Sequence, residues 1–414
     1  MTTYVASIAG LIVMFVAATA LPINMGVLGF AAAFIVGIVF VDMPTAAILA
    51  GFPGDLFVTL VGITYLFAIA QKNGTIELLV QYGVWATRGK VAVIPWVMFG
   101  LSALLTSIGA VSPGAVAIIA PIALSFAAKY RISPLLMGLM VIHGAQAGGF
   151  SPISIYGGIT NQVVARAGLE PNEIGLFLAS LMFNLAIAVG VYIVYGRLPG
   201  ASASPQPPPS TEPFGERGIT FERSATLVAL ASLGIGALAF NLNVGFVAIT
   251  LAAGLALLFP RRQEGTVEKV AWPTVLLICG VITYINVLQK AGTVDWIGDN
   301  AAHLGLPLLA VLLLCYVAGI VSAFASSVGV LGATIPLAVP LLLGGQLNTA
   351  GVIAALAVST TIVDVSPFST NGALVVASAD AAEREKLLRT LLAYSATVVL
   401  LGPLLAWVFF VVLV

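Results

Sequence analysis

Charge is the scarcest commodity in this chain. Only 8% of its 414 residues are Asp, Glu, Lys or Arg, where a soluble domain carries about 25%. A water-soluble helical protein needs polar helix faces to cover its surface, and none can be written for these segments. Cysteine is almost missing: Cys279 and Cys315 lie singly in apolar runs, which excludes a disulfide framework and a cysteine metal motif. The two histidines, His143 and His303, form no ligand spacing, and no nucleophile–base pair is evident, so the chain does not read as an enzyme. Net charge is zero, with no basic groove for nucleic acid. A phosphate-binding ATP loop is absent, which argues against primary pumping by this chain alone. The strand alternation of an outer-membrane barrel is absent too. Residues 5–20 lack the basic segment of a signal peptide and read as a membrane helix.

Apolar residues are what remains. They make up 60% of the chain, and mean hydropathy is +1.12. Run after run approaches the roughly 20 residues that cross a bilayer as a helix. Helices are the one solution left for spanning lipid. The expectation is an all-α polytopic membrane protein.

The halves of the chain repeat each other. QKNGT at 71–75 returns as QKAGT at 289–293, each after an apolar run containing ITY. Ser112 and Pro121 of SPGAVAIIAP match Ser327 and Pro336 of SVGVLGATIP, 215 positions later. The same offset carries SPIS at 151–154 onto SPFS at 366–369. Between the halves, 196–222 is rich in Pro and Ser and reads as a polar linker.

Five crossings are expected in each half. Residues 1–195 form the first repeat, with a broken helix at 135–165; 223–414 form the second, with a broken helix at 350–378. Segments 91–128 and 307–343 are each interrupted by a patch of small residues. Either two crossings or one re-entrant hairpin fits them; the short arms and uncharged turns favour hairpins. An odd number of crossings inverts the second repeat relative to the first. With both termini outside and 196–222 in the cytoplasm, every Lys and Arg except Arg166 and Lys290 falls inside, as cytoplasmic loops prefer. Odd-numbered inverted halves are a recurring plan of secondary transporters.

The candidate site lies where helices break. Pro152, Pro367, the glycines at 148–149 and Asn371-Gly372 interrupt otherwise apolar helices. Broken helices expose N-terminal amides that hold anions, and C-terminal carbonyls that hold cations. Substrate contacts are expected from Ser112, Gly114, Ser151, Ser154, Ser327, Gly329, Ser366, Ser369, Thr370 and Asn371. Asp364 is the single acid expected at membrane depth, a functional position by default. It is assigned to cation coupling with Asn161 and Asn371; its competing role is to cap the broken helix. His143 is a weaker candidate, since a lone histidine in a helix is more often a packing residue.

The motifs SPGAVAIIAP at 112–121, GGFSPISIYGG at 148–158 and SPFSTNGALV at 366–375 resemble those of the ion transporter superfamily that includes divalent anion:sodium symporters. The first 195 residues are most similar to MatC-type dicarboxylate (malonate) carriers. The resemblance implies a homodimer with a scaffold and a moving elevator part, a small organic dicarboxylate as cargo, and Na+ as coupling ion with no other cofactor. The family's Ser-Asn-Thr tip triad is replaced here by Ser112-Pro113-Gly114 and Ser327-Val328-Gly329. The expected function is therefore secondary transport of a dicarboxylate across a bacterial inner membrane, coupled to Na+ or H+. A cation/proton antiporter or inorganic oxyanion transporter on the same scaffold is the alternative.

Overall fold

A computed structural model describes residues 2–86, 90–196, 218–240, 242–294, 296, 307–324, 327–343 and 347–413. Most of the expected linker at 196–222 and His303 lie outside the described residues.

Every described element is helical. The first half runs α1 (Thr2–Ala20), α2 (Met25–Val39), short α3 (Thr45–Leu49), α4 (Gly54–Lys72), α5 (Thr75–Ala86), α6 (Ile94–Ser107), α7 (Ser112–Tyr130), α8 (Pro134–Gly148), α9 (Ile155–Arg166) and α10 (Glu173–Tyr195). The second runs α11 (Phe221–Leu238), α12 (Val244–Leu258), α13 (Trp272–Lys290), α14 (Pro307–Ser322), α15 (Ser327–Leu343), α16 (Thr349–Ile362), α17 (Thr370–Ala377) and α18 (Ala381–Trp407). Among the described residues, seven helices are long and apolar enough to cross a membrane: α4, α7, α10, α11, α13, the α16–α17 pair and α18 with its final turns. Large apolar side chains such as Val13, Phe34, Leu178 and Leu257 cover the outside, as a lipid-facing surface requires. The protein is a polytopic helical membrane protein.

Local sequence sets the helix starts. Asn24, Ser133, Asn172, Asn243 and Asn348 each accept a backbone N–H of the helix they open, a contact worth about 1 kcal/mol per cap. The repeated QKxGT motif also has a physical reason. Gly74 and Gly292 both take left-handed φ, 76° and 70°, which a side chain would penalise. Both α4 and α13 end on the same turn.

The halves pack by exchange. α2 lies on α13, and α12 lies on α4. The first crossing is so close that a Cβ on Gly280 would sit 1.9 Å from the Gly26 carbonyl oxygen. The second uses Gly62 and Gly245, where a Cβ on Gly62 would sit 2.6 Å from the Gly245 carbonyl oxygen. Gly26 and Gly245 hold equivalent places in the two halves, as do Gly62 and Gly280. Lipid offers no hydrophobic drive between helices, so such small-residue contacts carry much of the association. The same exchange recurs deeper in: α7 packs on α17 and α15 on α9, while α10 meets α16 and α18 meets α8.

Burial sorts the helices by role. The α16–α17 segment is 94% buried over its apolar window, against 28% for α18. Along α8, every residue from Leu135 to Gly148 is buried. The interrupted helices form the centre of the protein. Between α6 and α7 the chain reverses at 108–111, where Gly109 adopts φ 115° and both Gly109 and Ala110 are buried.

Candidate functional site

Two chain breaks, the turn between α6 and α7, and the start of α15 build the site. After α8 ends at Gly148, residues 149–154 leave the helix and α9 begins at Ile155. The Ser154 hydroxyl donates to the Gly149 and Ser151 carbonyls at 2.5 and 2.6 Å and accepts from the Gly157 amide. In the second half α16 ends at Ile362, a single 3-10 turn spans Val363–Val365, and α17 starts at Thr370. There Ser369 donates to the Asp364 and Ser366 carbonyls at 2.6 and 2.7 Å. Both breaks close on a glycine: a Cβ on Gly157 would lie 2.1 Å from the Ser151 carbonyl oxygen, and one on Gly372 would lie 2.0 Å from that of Ser366. The 215-residue offset is thus a structural equivalence in the serine-to-carbonyl bonds and the glycine contacts of the breaks.

Their difference is at the helix starts. Ser154 caps α9, whereas Ser369 takes no amide of α17. The start of α17 keeps its partial positive charge uncovered by a side chain.

Five side chains from four segments meet in a buried cluster. Ser112 opens α7 and Ser327 opens α15. Asp364 and Asn371 flank the second break, and Tyr156 lies in the first turn of α9. The Asn371 amide nitrogen donates to Ser112 Oγ at 2.8 Å and to Asp364 Oδ2 at 3.3 Å. Ser327 lies beside the Asp364 carboxyl, and Tyr156 lies beside Ser112 and Asp364. Ser327 is further paired with Ser322 at 2.7 Å. All five are at most 4% exposed. Asn371 Oδ1 is buried without a partner. The ion pairs among the described residues are Asp55–Arg166, Glu222–Arg262 and Glu385–Arg389, all away from this cluster. Its chemistry is therefore oxygen atoms, one carboxyl and helix-end dipoles, without a basic side chain bonded to it.

The residues expected from sequence divide into groups. Ser112, Ser327, Asp364 and Asn371 come together as described. Ser151, Ser154, Ser366 and Ser369 shape the breaks: Ser151 donates to the Ser107 carbonyl at 2.5 Å, joining the first break to the first turn, and Ser366 accepts from the Phe368 amide. Gly114 is half-buried on α7, and Gly329 faces Leu277 and Met25 of α13 and α2. Thr370 is exposed and is not brought to the cluster. Asn161 instead borders a cavity of about 420 Å³ between α9 and α4, α11 and α12, with Ser154, Gln162 and Asn243. Its Nδ2 is buried without a partner.

His143 is not brought into the cluster's hydrogen bonds. Its ring spans Asn184 Oδ1 at 3.1 Å and the Tyr394 hydroxyl at 2.8 Å, tying α8 to α10 and α18. Asn184 in turn donates to the Ser180 carbonyl. The amide oxygen of Asn184 can only accept, so His143 carries its proton on Nδ1 and accepts from Tyr394. Gln146 lies beside this ring, but neither of its amide atoms meets a partner in hydrogen-bonding geometry.

Sequence reading missed Tyr156. The signal was present: the repeat offset that pairs Ser154 with Ser369 pairs Tyr156 with Asn371.

Comparison with known proteins agrees with this architecture. Residues 1–149 match the family model for the N-terminus of the dicarboxylate carrier protein MatC. The fold is similar to that of the YdaH transporter of Alcanivorax borkumensis, with a TM-score of 0.58 at 14% identity, covering 87% of this chain and 86% of that one. No curated protein matches the chain significantly by sequence. Both likenesses are to transport proteins.

Proposed function

We propose that the protein is a secondary transporter that carries a small dicarboxylate, of malonate or C4 type, across a bacterial cytoplasmic membrane, coupled to Na+ or H+. The observation that carries this reading is the meeting of Ser112, Ser327, Asp364 and Asn371 from both halves in one buried, polar, charge-poor cluster. The halves are read as inverted repeats, 1–195 and 223–414, of five crossings and one re-entrant hairpin each. The buried reversal at 108–111 supports the hairpin reading, since a turn reaching water would be exposed. The exchange contacts between halves support a twofold relation. Both termini are then outside and the linker at 196–222 is cytoplasmic. An elevator motion and a homodimer are part of this reading, as the sequence's resemblance to dicarboxylate carriers implies.

In this reading the anion is held without Lys or Arg. Backbone amides at the starts of α7, α9, α15 and α17 supply partial positive charge. Ser112, Ser327 and Asn371 supply donors, and a co-bound cation at Asp364 supplies the remaining charge. Serines 151, 154, 366 and 369 hold the breaks open to this use. The single carboxyl of the cluster also favours a second reading, a cation/proton antiporter on the same scaffold.

Reconstitution separates the two. Purified protein in liposomes is offered labelled C3 to C5 dicarboxylates under Na+ and pH gradients imposed separately. Gradient-driven uptake that falls at least about tenfold in N371A, a loss of about 1.4 kcal/mol, is expected. Cation exchange without uptake of any dicarboxylate selects the antiporter. Uptake untouched by N371A and S112A refutes the site.

A further inference from the structure

A second polar space lies apart from the buried cluster. The cavity of about 420 Å³ that Asn161 borders is walled by α9, the start of α10 and the α11–α12 turn, with Thr59 of α4 across from them. There is room at its wall: a Cβ on Gly158 would meet only Thr59 Cγ2, at 3.9 Å. Two amide groups lining the cavity lack partners among the described residues. Asn161 is 6% exposed, and its Nδ2, a donor, meets no acceptor. Gln162 Oε1, an acceptor, is buried without a donor. Buried polar atoms are nearly always satisfied, so two orphans on one cavity point to an occupant.

The lining sets the chemistry of that occupant. It must accept a hydrogen bond from Asn161 and donate one to Gln162. Its charge follows from Glu173, which lines the same cavity and forms no ion pair among the described residues. No Lys or Arg of those residues lines it, and Arg166, one turn beyond Gln162, is held by Asp55. A dicarboxylate would meet a like charge and no basic partner, so this is no station for the proposed cargo. A protonated amine suits both Gln162 and Glu173. The rest of the rim is apolar and exposed: Ile174, Leu238 and Leu242. Both α10 and α11 are long enough to cross a membrane, so Ile174 at the start of one and Leu238 at the end of the other lie near a bilayer surface, where headgroups meet hydrocarbon.

We infer that this cavity binds one phospholipid with a primary-amine headgroup, of phosphatidylethanolamine chemistry. The ammonium group donates to Gln162 Oε1 and pairs with Glu173, a charge-assisted contact. A phosphate or ester oxygen accepts from Asn161 Nδ2, and the acyl chains leave over Ile174, Leu238 and Leu242. Pro152 and Ser154 of the first break line the same cavity, so the bound lipid also braces that break. The site is independent of what the protein carries.

The measurement is native mass spectrometry of the purified, delipidated full-length protein, titrated with phosphatidylethanolamine, phosphatidylcholine and phosphatidylglycerol of the same acyl chains. One phosphatidylethanolamine per chain should bind at least about tenfold more tightly than either other lipid. The quaternary nitrogen of choline has no N–H for Gln162, and a glycerol headgroup brings no positive charge to Glu173. The preference should vanish in E173Q and in G158L, whose side chain enters the cavity, and persist in E268Q, which removes an exposed acid elsewhere. Glu173 is exposed, so E173Q does not hinge on core packing, and a melting profile checks that G158L is folded. Equal binding of the three lipids, or a preference that survives in E173Q or in folded G158L, overturns the inference. So does displacement of the lipid by equimolar glycerophosphoethanolamine, the same headgroup without acyl chains, since the apolar rim would then contribute nothing.

Discussion

Replacing Gly372 by alanine is the sharpest single perturbation of the second break. The new methyl carbon would lie 2.0 Å from the Ser366 carbonyl oxygen and 2.9 Å from that of Val365. Ordinary contact between such atoms is about 3.4 Å, so the chain at 365–366 must retreat by more than an ångström. The obstruction is backbone, which cannot step aside as a flexible side chain would. Overpacking of this kind costs about 1–3 kcal/mol, and the upper end applies here. Roughly 3 kcal/mol lowers the ratio of intact to displaced break by a factor of about 150. The retreat would also part Ser369 from the Ser366 and Asp364 carbonyls, and with them Asn371 from Ser112. Uptake into liposomes should fall by about two orders of magnitude, and the melting temperature should drop. Gly158 is the control. It is one residue from Gly157, yet a Cβ there meets nothing closer than 3.9 Å, so G158A should behave as the unmodified protein. A G372A protein that transports and melts like G158A would refute the claim that the break geometry depends on that glycine.

Further outcomes follow from the packing. G280A drives a methyl group against the Gly26 carbonyl oxygen at 1.9 Å and should lower stability by about 3 kcal/mol or more; G254A, with open space around it, should not, as differential melting in detergent would show. Glu222 is almost fully buried and pairs with Arg262 at 2.7 Å, while Arg262 itself is largely exposed. R262Q should therefore cost about 1–2 kcal/mol by leaving the acid without its partner, and neighbouring R261Q should cost nearly nothing by the same melt. His143 is read as a tie between helices, so H143L should destabilise by about 1–3 kcal/mol. The pH profile of uptake should keep its shape in H143L, measured as relative rates; a changed profile would give His143 a role in coupling.

Much of this arrangement was legible beforehand, and the reasons are local. Pro152 and Pro367, each set among glycines or an Asn-Gly pair and small hydroxyls, disfavour a continuous helix locally, so the breaks could be placed to within a few residues, although Pro121 and Pro403 sit inside unbroken helices. The repeat could be read because its motifs do the same work twice: Gly74 and Gly292 need left-handed backbone, and Ser154 and Ser369 close the same turn. Side-chain direction was not legible. Thr370 and Asn371 are adjacent in a polar run, but only Asn371 turns inward. Asn161 follows the first break, yet it opens on a different cavity. Tyr156 escaped because tyrosine in an apolar helix looks like filler until the register sets it against an amide.

The interlocked glycine crossings have a consequence for how such a chain can exist at all. Gly26 needs the flat face around Gly280, and Gly245 needs the one around Gly62; α7 leans on α17, and α9 on α15. Each piece finds its wall on the other piece. Cut at the linker and made as two polypeptides, the pieces should assemble when synthesised together and be degraded when synthesised alone. An ancestor of half this length would have faced the same demand and met it by pairing with a copy of itself.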